Sequence, residues 1–217
     1  MDTKERYQAF THYLQTVPTP LQTELRYNSP FQLLVAVVLS AQCTDKRVNL
    51  CTPSLFASFP TARALAEASF EDVFNHIKSI SYPKNKTNFL LGTAARLVNE
   101  FHEHIPNSVT ALQTFPGVGR KTAHVIASIL YNQPTLAVDT HVFRVAKRIG
   151  LASVGCKTPL MVERALMEQL PLEQVQLANQ WILLHGRYIC TARKPQCIAC
   201  PITHFCAYFK ENQIHLL

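Results

Sequence analysis

Phe115-Pro116-Gly117-Val118-Gly119-Arg120-Lys121-Thr122-Ala123-His124-Val125 is the stretch from which the rest of the chain is read. Two glycines around Val118 make a tight turn at which backbone N–H groups can face outward. An apolar-periodic segment follows at once, so Lys121 falls in the first turn of a helix. A cation is disfavoured there, because a helix N-terminus already carries about half a unit of positive charge. Eighteen residues on, Val138-Asp139-Thr140-His141 opens another helix with a carboxylate. A lysine at a helix N-terminus, a carboxylate and a glycine hairpin able to hold phosphate point to amine chemistry on a nucleic acid.

Composition agrees. The 217 residues are 47% hydrophobic and 16% charged, which predicts a globular chain long enough for one large domain or two small ones. The net charge of +7 is uneven: residues 1–116 carry 10 Lys/Arg against 9 Asp/Glu, and residues 117–217 carry 11 against 5. The basic half contains the glycine hairpin, as a polyanionic partner requires. The N-terminus has acids and no apolar stretch, so no leader peptide is expected. The longest apolar run, Leu33 to Leu39, is too short for a bilayer, which needs about 20 residues. A cytoplasmic, nucleoid-associated monomer with no membrane partner is the expectation.

Helix signals dominate and no convincing alternating strand appears, so the fold class is all-α. Residues 4–16 are amphipathic and stop before Pro18 and Pro20. Ser29-Pro30 supplies an N-cap and an N1 proline for a helix over Phe31–Gln42, apolar on nearly every side and therefore central. Ser69 with Asp72 starts a helix running through Ile77. Further helices are predicted from Lys86 to His102, just before Phe115, over Lys121–Tyr131 and Thr140–Ile149, and near 159–169 and 173–185. Val142, Val145, Ala146 and Ile149 form one apolar stripe, while Arg144, Lys147 and Arg148 lie on another face, as a solvated surface or as phosphate contacts. Domain boundaries are placed near Val17–Leu21 and Asn132–Thr135, which puts both chain ends in one lobe.

Seven cysteines is an odd count, and four of them, Cys190-x6-Cys197-x2-Cys200-x5-Cys206, fall within seventeen residues. In a reducing compartment that crowding favours a four-thiolate metal site over disulfides. Zinc ribbons use two short Cys-x-x-Cys pairs and only one occurs here, whereas an iron–sulfur cube tolerates wider spacing. Spacing alone leaves both metals open, with His204 an alternative ligand. Cys43, Cys51 and Cys156 read as buried structural thiols. The loop Thr191-Ala192-Arg193-Lys194-Pro195-Gln196 is basic, which makes Arg193 and Lys194 candidate phosphate contacts.

Taken together, Asn28-Ser29-Pro30-Phe31, Leu39-Ser40-Ala41-Gln42, the 116–123 hairpin, Val138-Asp139-Thr140-His141, His185-Gly186-Arg187-Tyr188 and the four cysteines resemble the endonuclease III family. These are bifunctional DNA glycosylases of the helix-hairpin-helix superfamily, and the resemblance runs from about Thr23 to Tyr208. It implies two helical lobes: a six-helix domain with the helix-hairpin-helix over 21–134, and an iron–sulfur cluster domain made of 1–20 and 135–217. It implies that the protein excises oxidised pyrimidines from duplex DNA and cuts the abasic site by β-elimination. On this resemblance Lys121 is the nucleophile and Asp139 its carboxylate, and Cys190, Cys197, Cys200 and Cys206 hold a [4Fe-4S] cluster. Gln42 fills the gap left by the flipped base, and Gly117, Val118 and Gly119 belong to the DNA-binding hairpin. Arg144, Arg193 and Lys194 are added as phosphate contacts.

The chemistry fits these residue types. Attack at C1′ needs a neutral amine, and the helix N-terminus with partial burial should make Lys121 easier to deprotonate than a free lysine. Helix Lys121–Tyr131 spans roughly 15 Å, and the chain to Asp139 can return over at most about 26 Å. Asp139 also reads as a plain N-cap, Gly117 and Gly119 as an ordinary interhelical turn, and Gln42 as a polar helix end. One departure stands out: Ile80-Ser81-Tyr82-Pro83-Lys84-Asn85-Lys86 replaces the family's usual glycine-leucine-tyrosine loop. Tyr82 takes over as the wedge residue, stacking on bases. The rivals are an adenine-type mismatch glycosylase of the same fold, which normally has serine in place of Lys121 and a further C-terminal domain, and a non-catalytic helix-hairpin-helix DNA-binding protein.

Overall fold

The structure, a computed structural model, describes residues 1–18 and 23–212, and every regular element among them is helical. The chain divides into two compact units, Met1–Leu21 with Pro134–Leu217, and Gln22–Gln133. The first boundary expected from sequence falls largely on residues 19–22, outside the described residues, as does Pro20. Helix α1 (Thr3–Leu14) opens the first unit. Helices α2 (Pro30–Ser40), α3 (Asp45–Ser58), α4 (Ala62–Ala66), α5 (Phe70–Ile77), α6 (Pro83–Phe101), α7 (Val109–Leu112) and α8 (Arg120–Tyr131) form the second. The chain then re-enters the first unit as α9 (Thr140–Ile149), α10 (Pro159–Gln169), a 3₁₀ turn at Leu172–Gln174, α11 (Val175–Tyr188) and α12 (Ala207–Asn212). None of the described helices is long and apolar enough to cross a membrane.

The second unit is built around α2. Ser29 caps it by accepting from the Gln32 amide at 3.2 Å, Pro30 occupies its first turn, and Leu33 to Leu39 are all buried. A helix apolar on all sides must be surrounded, and α3, α6 and α8 pack around it. Each of its leucines and valines contributes on the order of 1.5–3 kcal/mol on burial. The helix ends two residues earlier than its sequence predicts. Ala41 leaves helical geometry, and Gln42 takes a left-handed backbone with φ of 53°.

Sequence reading misses α3 because Pro53 stands inside it and because Cys51 and Thr52 occupy its core face with Val48 and Leu55. The spacing 48, 51, 52, 55 is helical, but two of the four residues are not aliphatic. The short helices α4 and α12 are missed as well, at five and six residues too brief to show a period. Helix α6 begins three residues before the predicted Lys86, with Pro83 in its first turn.

In the first unit, α1 is held by α11, far from it in sequence. Phe10 is fully buried and meets Trp181 edge-on at 5.5 Å, with Tyr13 on the same indole at 5.3 Å. Helices α9 and α11 approach closely because residue 186 is glycine: a Cβ there would lie 2.9 Å from His141 Cβ and 3.0 Å from Val145 Cγ2. The Tyr7 hydroxyl lies 2.7 Å from the Leu151 carbonyl oxygen and 3.0 Å from that of Ala165, tying α1 to the segments on either side of α10's start. Burial raises the pKa of Tyr7, so its phenol stays the donor throughout the physiological range. Tyr7→Phe removes that donor and leaves two carbonyls short of a partner. Urea unfolding should show a loss of about 1–3 kcal/mol, with the helical circular dichroism of the folded protein unchanged.

Candidate functional site

Helix α7 leads into the glycine hairpin and α8 leads out of it. Gly117 has φ of 76°, and a Cβ on it would lie 2.7 Å from Cδ2 of Phe89. Both backbone shape and space therefore demand glycine there. Thr93 of α6 donates to the Pro116 carbonyl at 3.0 Å and fixes the turn from outside. Val118 differs from the sequence expectation. Its side chain is buried, and its amide donates inward to the Phe115 carbonyl at 3.1 Å, so it offers no outward N–H. The hairpin's available donors come instead from the start of α8. Gly119 is the N-cap of that helix and supplies no side-chain cap, and beyond its chain neighbours no atom lies within 4 Å of where a Gly119 Cβ would be. Lys121, its second residue, is exposed where sequence reading expected partial burial.

Asp139 belongs to the other unit, as the N-cap of α9. Its Oδ1 accepts from the amides of His141 at 2.8 Å and Val142 at 2.9 Å. The N-cap reading of Asp139 is therefore correct as far as it goes. Two amides fix the orientation of a half-buried carboxylate and leave its chemistry to be assigned.

Gln42 and Tyr82 are brought together, although 40 residues separate them. Both are exposed and both have left-handed backbones, with φ of 53° and 56°. The Ser81 hydroxyl donates to the Gln42 carbonyl at 2.8 Å. Lys86, buried at 4% exposure, donates from Nζ to the carbonyls of Leu39 at 2.8 Å and Ala41 at 2.7 Å. Desolvation lowers its pKa, and the neighbouring Cys43 acts in the opposite sense. Neither Ser81 nor Lys86 stands out in the sequence, because each partner lies about forty residues away.

Cys190, Cys197, Cys200 and Cys206 border one pocket with about 330 Å³ of open space. Ile149, Ile189, Ile202 and Phe209 complete its apolar wall. Among the described residues, no three His, Cys, Asp or Glu side chains converge on a point as a single ion needs. A zinc ion requires its sulfurs at about 2.3 Å from one centre, whereas a four-iron cube accepts them at separate corners. Burial pushes the Cys200 thiol up to about 11, with the other three thiols adding to the rise, and burial raises Cys197 and Cys206 too. Four cysteines around one pocket are the donor set that such a cluster takes. The residues fit an iron–sulfur cluster. His204 does not line the pocket and lies edge-on against Phe205. The imidazole of His185 does line it, with Nε2 3.6 Å from Cys200 Sγ, its ring stacked on Trp181 and its pKa pushed down to about 4 by burial.

The basic face of α9 corrects the sequence reading. Arg144 turns inward: its Nη2 lies 2.8 Å from the Gly186 carbonyl oxygen and 3.1 Å from that of Cys190, and its Nε 3.2 Å from the latter. Arg148 reaches the carbonyls of Thr191 at 2.7 Å and Ala192 at 2.8 Å, lies 3.5 Å from Cys190 Sγ and stacks over the Tyr208 ring. Lys147 donates to the Val154 and Cys156 carbonyls. These three cations brace loops, because the carbonyl-rich turns beside α9 attract positive charge. Arg193 and Lys194 remain exposed on the loop that Arg148 pins.

Known proteins share this sequence and architecture. The family model for the HhH-GPD superfamily of base excision DNA repair proteins matches residues 35–172, and that for the iron–sulfur binding domain of endonuclease III matches residues 190–206. The chain is 46% identical over 200 residues to endonuclease III of Rickettsia conorii, covering 92% of this chain and 94% of that one. It is 39% identical over 214 residues to endonuclease III of Escherichia coli K12, covering 99% and 100%. A solved structure of a trapped endonuclease III–DNA covalent intermediate matches with a TM-score of 0.89 at 36% identity, over 98% of this chain and 100% of that one.

Two experiments test the site as built. Gly117→Ala should lose about 2 kcal/mol in a urea melt, whereas Gly119→Ala, with ordinary φ of −80° and open space around it, should lose no more than about 1 kcal/mol, the cost of alanine at an N-cap. The purified protein should be brown with broad visible absorbance and iron bound, and Cys200→Ser should lose most of both. A colourless native preparation carrying zinc would refute the cluster.

Proposed function

We propose a residue-level mechanism for this chain, which belongs to the endonuclease III family of helix-hairpin-helix base-excision DNA repair proteins and is a DNA glycosylase and abasic-site lyase. The substrate is duplex DNA carrying oxidised pyrimidines. The damaged base leaves the stack at a cost of a few kcal/mol, which is least for a poorly stacked lesion. Exposed Gln42 and Tyr82 fill the vacated space. The first-turn amides of α8 and the open backbone at Gly119 take one DNA phosphate, as helix N-termini do. Arg193 and Lys194 take others, held out by a loop whose backbone carbonyls are tied to Arg148. Arg144 is left out of this set because its guanidinium faces Gly186 and Cys190.

Lys121 is the nucleophile. The observation that carries this assignment is its place: an exposed amine on the second residue of a helix whose N-terminus has no side-chain cap. A primary amine at such a position can reach a substrate as a nucleophile. Its Nζ attacks C1′, the N-glycosidic bond breaks, and the base departs with a proton. Ring opening at the sugar gives a protonated Schiff base, which makes the C2′ proton acidic. Loss of that proton expels the 3′ phosphate by β-elimination, and water releases the lysine. Asp139, held by two amides, supplies the fixed carboxylate that accepts the lysine proton and steadies positive charge on the sugar. The cluster, when bound, holds the four cysteines together and makes the 190–206 loop rigid.

Lysine at position 121 favours this reading over an adenine-type glycosylase. Borohydride reduction on abasic-site duplex should trap the native protein covalently and should not trap Lys121→Ala. A native protein that never traps would sink the lyase mechanism. Asp139→Asn separates catalysis from capping, since asparagine caps a helix about as well as aspartate. Its melting behaviour should match native, while base release falls by about a hundredfold; unchanged base release would leave Asp139 a structural cap only.

A further inference from the structure

Gln42 and Tyr82 protrude from turns that neither residue favours. A non-glycine residue with φ near +55° is uncommon and strained, and strain of this kind persists where the surroundings over-determine it. Here the surroundings are two side chains. The last carbonyls of α2 have no amide partners within the helix, its last turn has no basic residue of its own, and its cap is Ala41. Buried Lys86, from α6, fills that role by donating to Leu39 and Ala41 at the partly negative helix end. The same residue's amide donates to the Tyr82 carbonyl at 3.1 Å. Lys86 thus grips the turn before Gln42 with its ammonium and the Tyr82 turn with its backbone. Ser81 closes the second link through the Gln42 carbonyl.

We infer that Lys86 and Ser81 are positioning residues that lock Gln42 and Tyr82 into a single prebuilt wedge, so that the two residues enter the duplex together. This rests on the base-excision reading above. Holding the wedge in its working shape before DNA arrives removes the ordering cost that two separate flexible loops would carry at the moment of base flipping. Neither residue needs to touch DNA to do this.

The test compares a duplex, which needs the wedge, with a single strand, which does not. Native protein, Lys86→Met, Lys86→Arg and Ser81→Ala are assayed by borohydride trapping on the same abasic oligonucleotide, single-stranded and annealed. A second duplex carries 2-aminopurine opposite a tetrahydrofuran abasic analogue, and its fluorescence rises when the opposite base is unstacked. Lys86→Met should trap on duplex about tenfold more slowly than native, keep the native rate on single strand and lose most of the fluorescence rise. Lys86→Arg, which keeps donors for the two carbonyls, should recover part of both. Ser81→Ala should shift duplex trapping and fluorescence in the same direction by less. An equal fall on both substrates, or a duplex rate and fluorescence rise unchanged in Lys86→Met, overturns the wedge role. If Lys86→Met fails to fold by circular dichroism, Ser81→Ala decides, and a native fluorescence rise in that variant overturns it. Native protein that traps on neither substrate would instead refute the base-excision reading itself.

Discussion

Each α-helix leaves its first amides and last carbonyls without partners inside the helix, and in a chain whose described elements are all helical those ends must be met by something else. Most N-termini here are closed routinely. Ser29, Thr44, Thr61, Ser69, Ser108 and Thr158 each accept an amide with a side-chain oxygen. The ends to which function is assigned are among those that depart from this pattern. Helix α8 starts at a glycine with no side-chain cap, next to Lys121. Helix α9 is capped by Asp139, a charged residue where a hydroxyl would serve as well. Helix α2 is closed at its C-terminus by a lysine from another helix. The carbonyls around the end of α11 are met by Arg144.

The same constraint explains where the positive charge goes. The C-terminal half carries most of the excess, which sequence reading treats as a surface for a polyanion. Arg144, Lys147 and Arg148 instead face backbone carbonyls. A guanidinium bonded to carbonyls still contributes to the field around it, but fewer of its N–H groups are left for a phosphate. Net charge therefore indicates the class of partner and says little about which residues touch it. The distinction depends on whether a cation lies beside a helix end or loop with unmet carbonyls, and that is set by tertiary packing.

Much of the site was legible because its signals are local. The hairpin, the lysine one residue into α8, the carboxylate before α9 and the four-cysteine spacing all fall within short windows, where turn geometry and donor counts constrain residue type. The central helix α2 was legible for the same reason. What sequence reading missed depends on long separations or on residues of mixed character. Lys86 reads as an ordinary helix lysine until the carbonyls 45 and 47 residues before it come within reach. Helix α3 is hidden by Pro53 and by a core face partly built of cysteine and threonine. Val118, flanked by glycines, reads as part of a turn with outward-facing amides, yet its side chain anchors the turn in the core and its amide bonds to the Phe115 carbonyl.

The mount and the tip of the proposed wedge obey different rules, and this bears on how the loop departs from its family. Lys86 is buried, and replacing it would strand two carbonyls at a helix end, so the fold restricts it strongly. Tyr82 is 62% exposed, and nothing in the core depends on its ring. A position of the second kind can change with little effect on folding, provided the backbone beneath it is held. Pro83 presets the first turn of α6, and Ser81 adds a bond to the facing turn, so an aromatic residue can stand in a left-handed conformation. The energetic demand of that conformation falls on its neighbours. The wedge can then differ in size and stacking from the usual leucine while its approach to the duplex stays the same. Differences in opposite-base preference within the family should accordingly follow the exposed residue, so long as the buried lysine keeps both carbonyls.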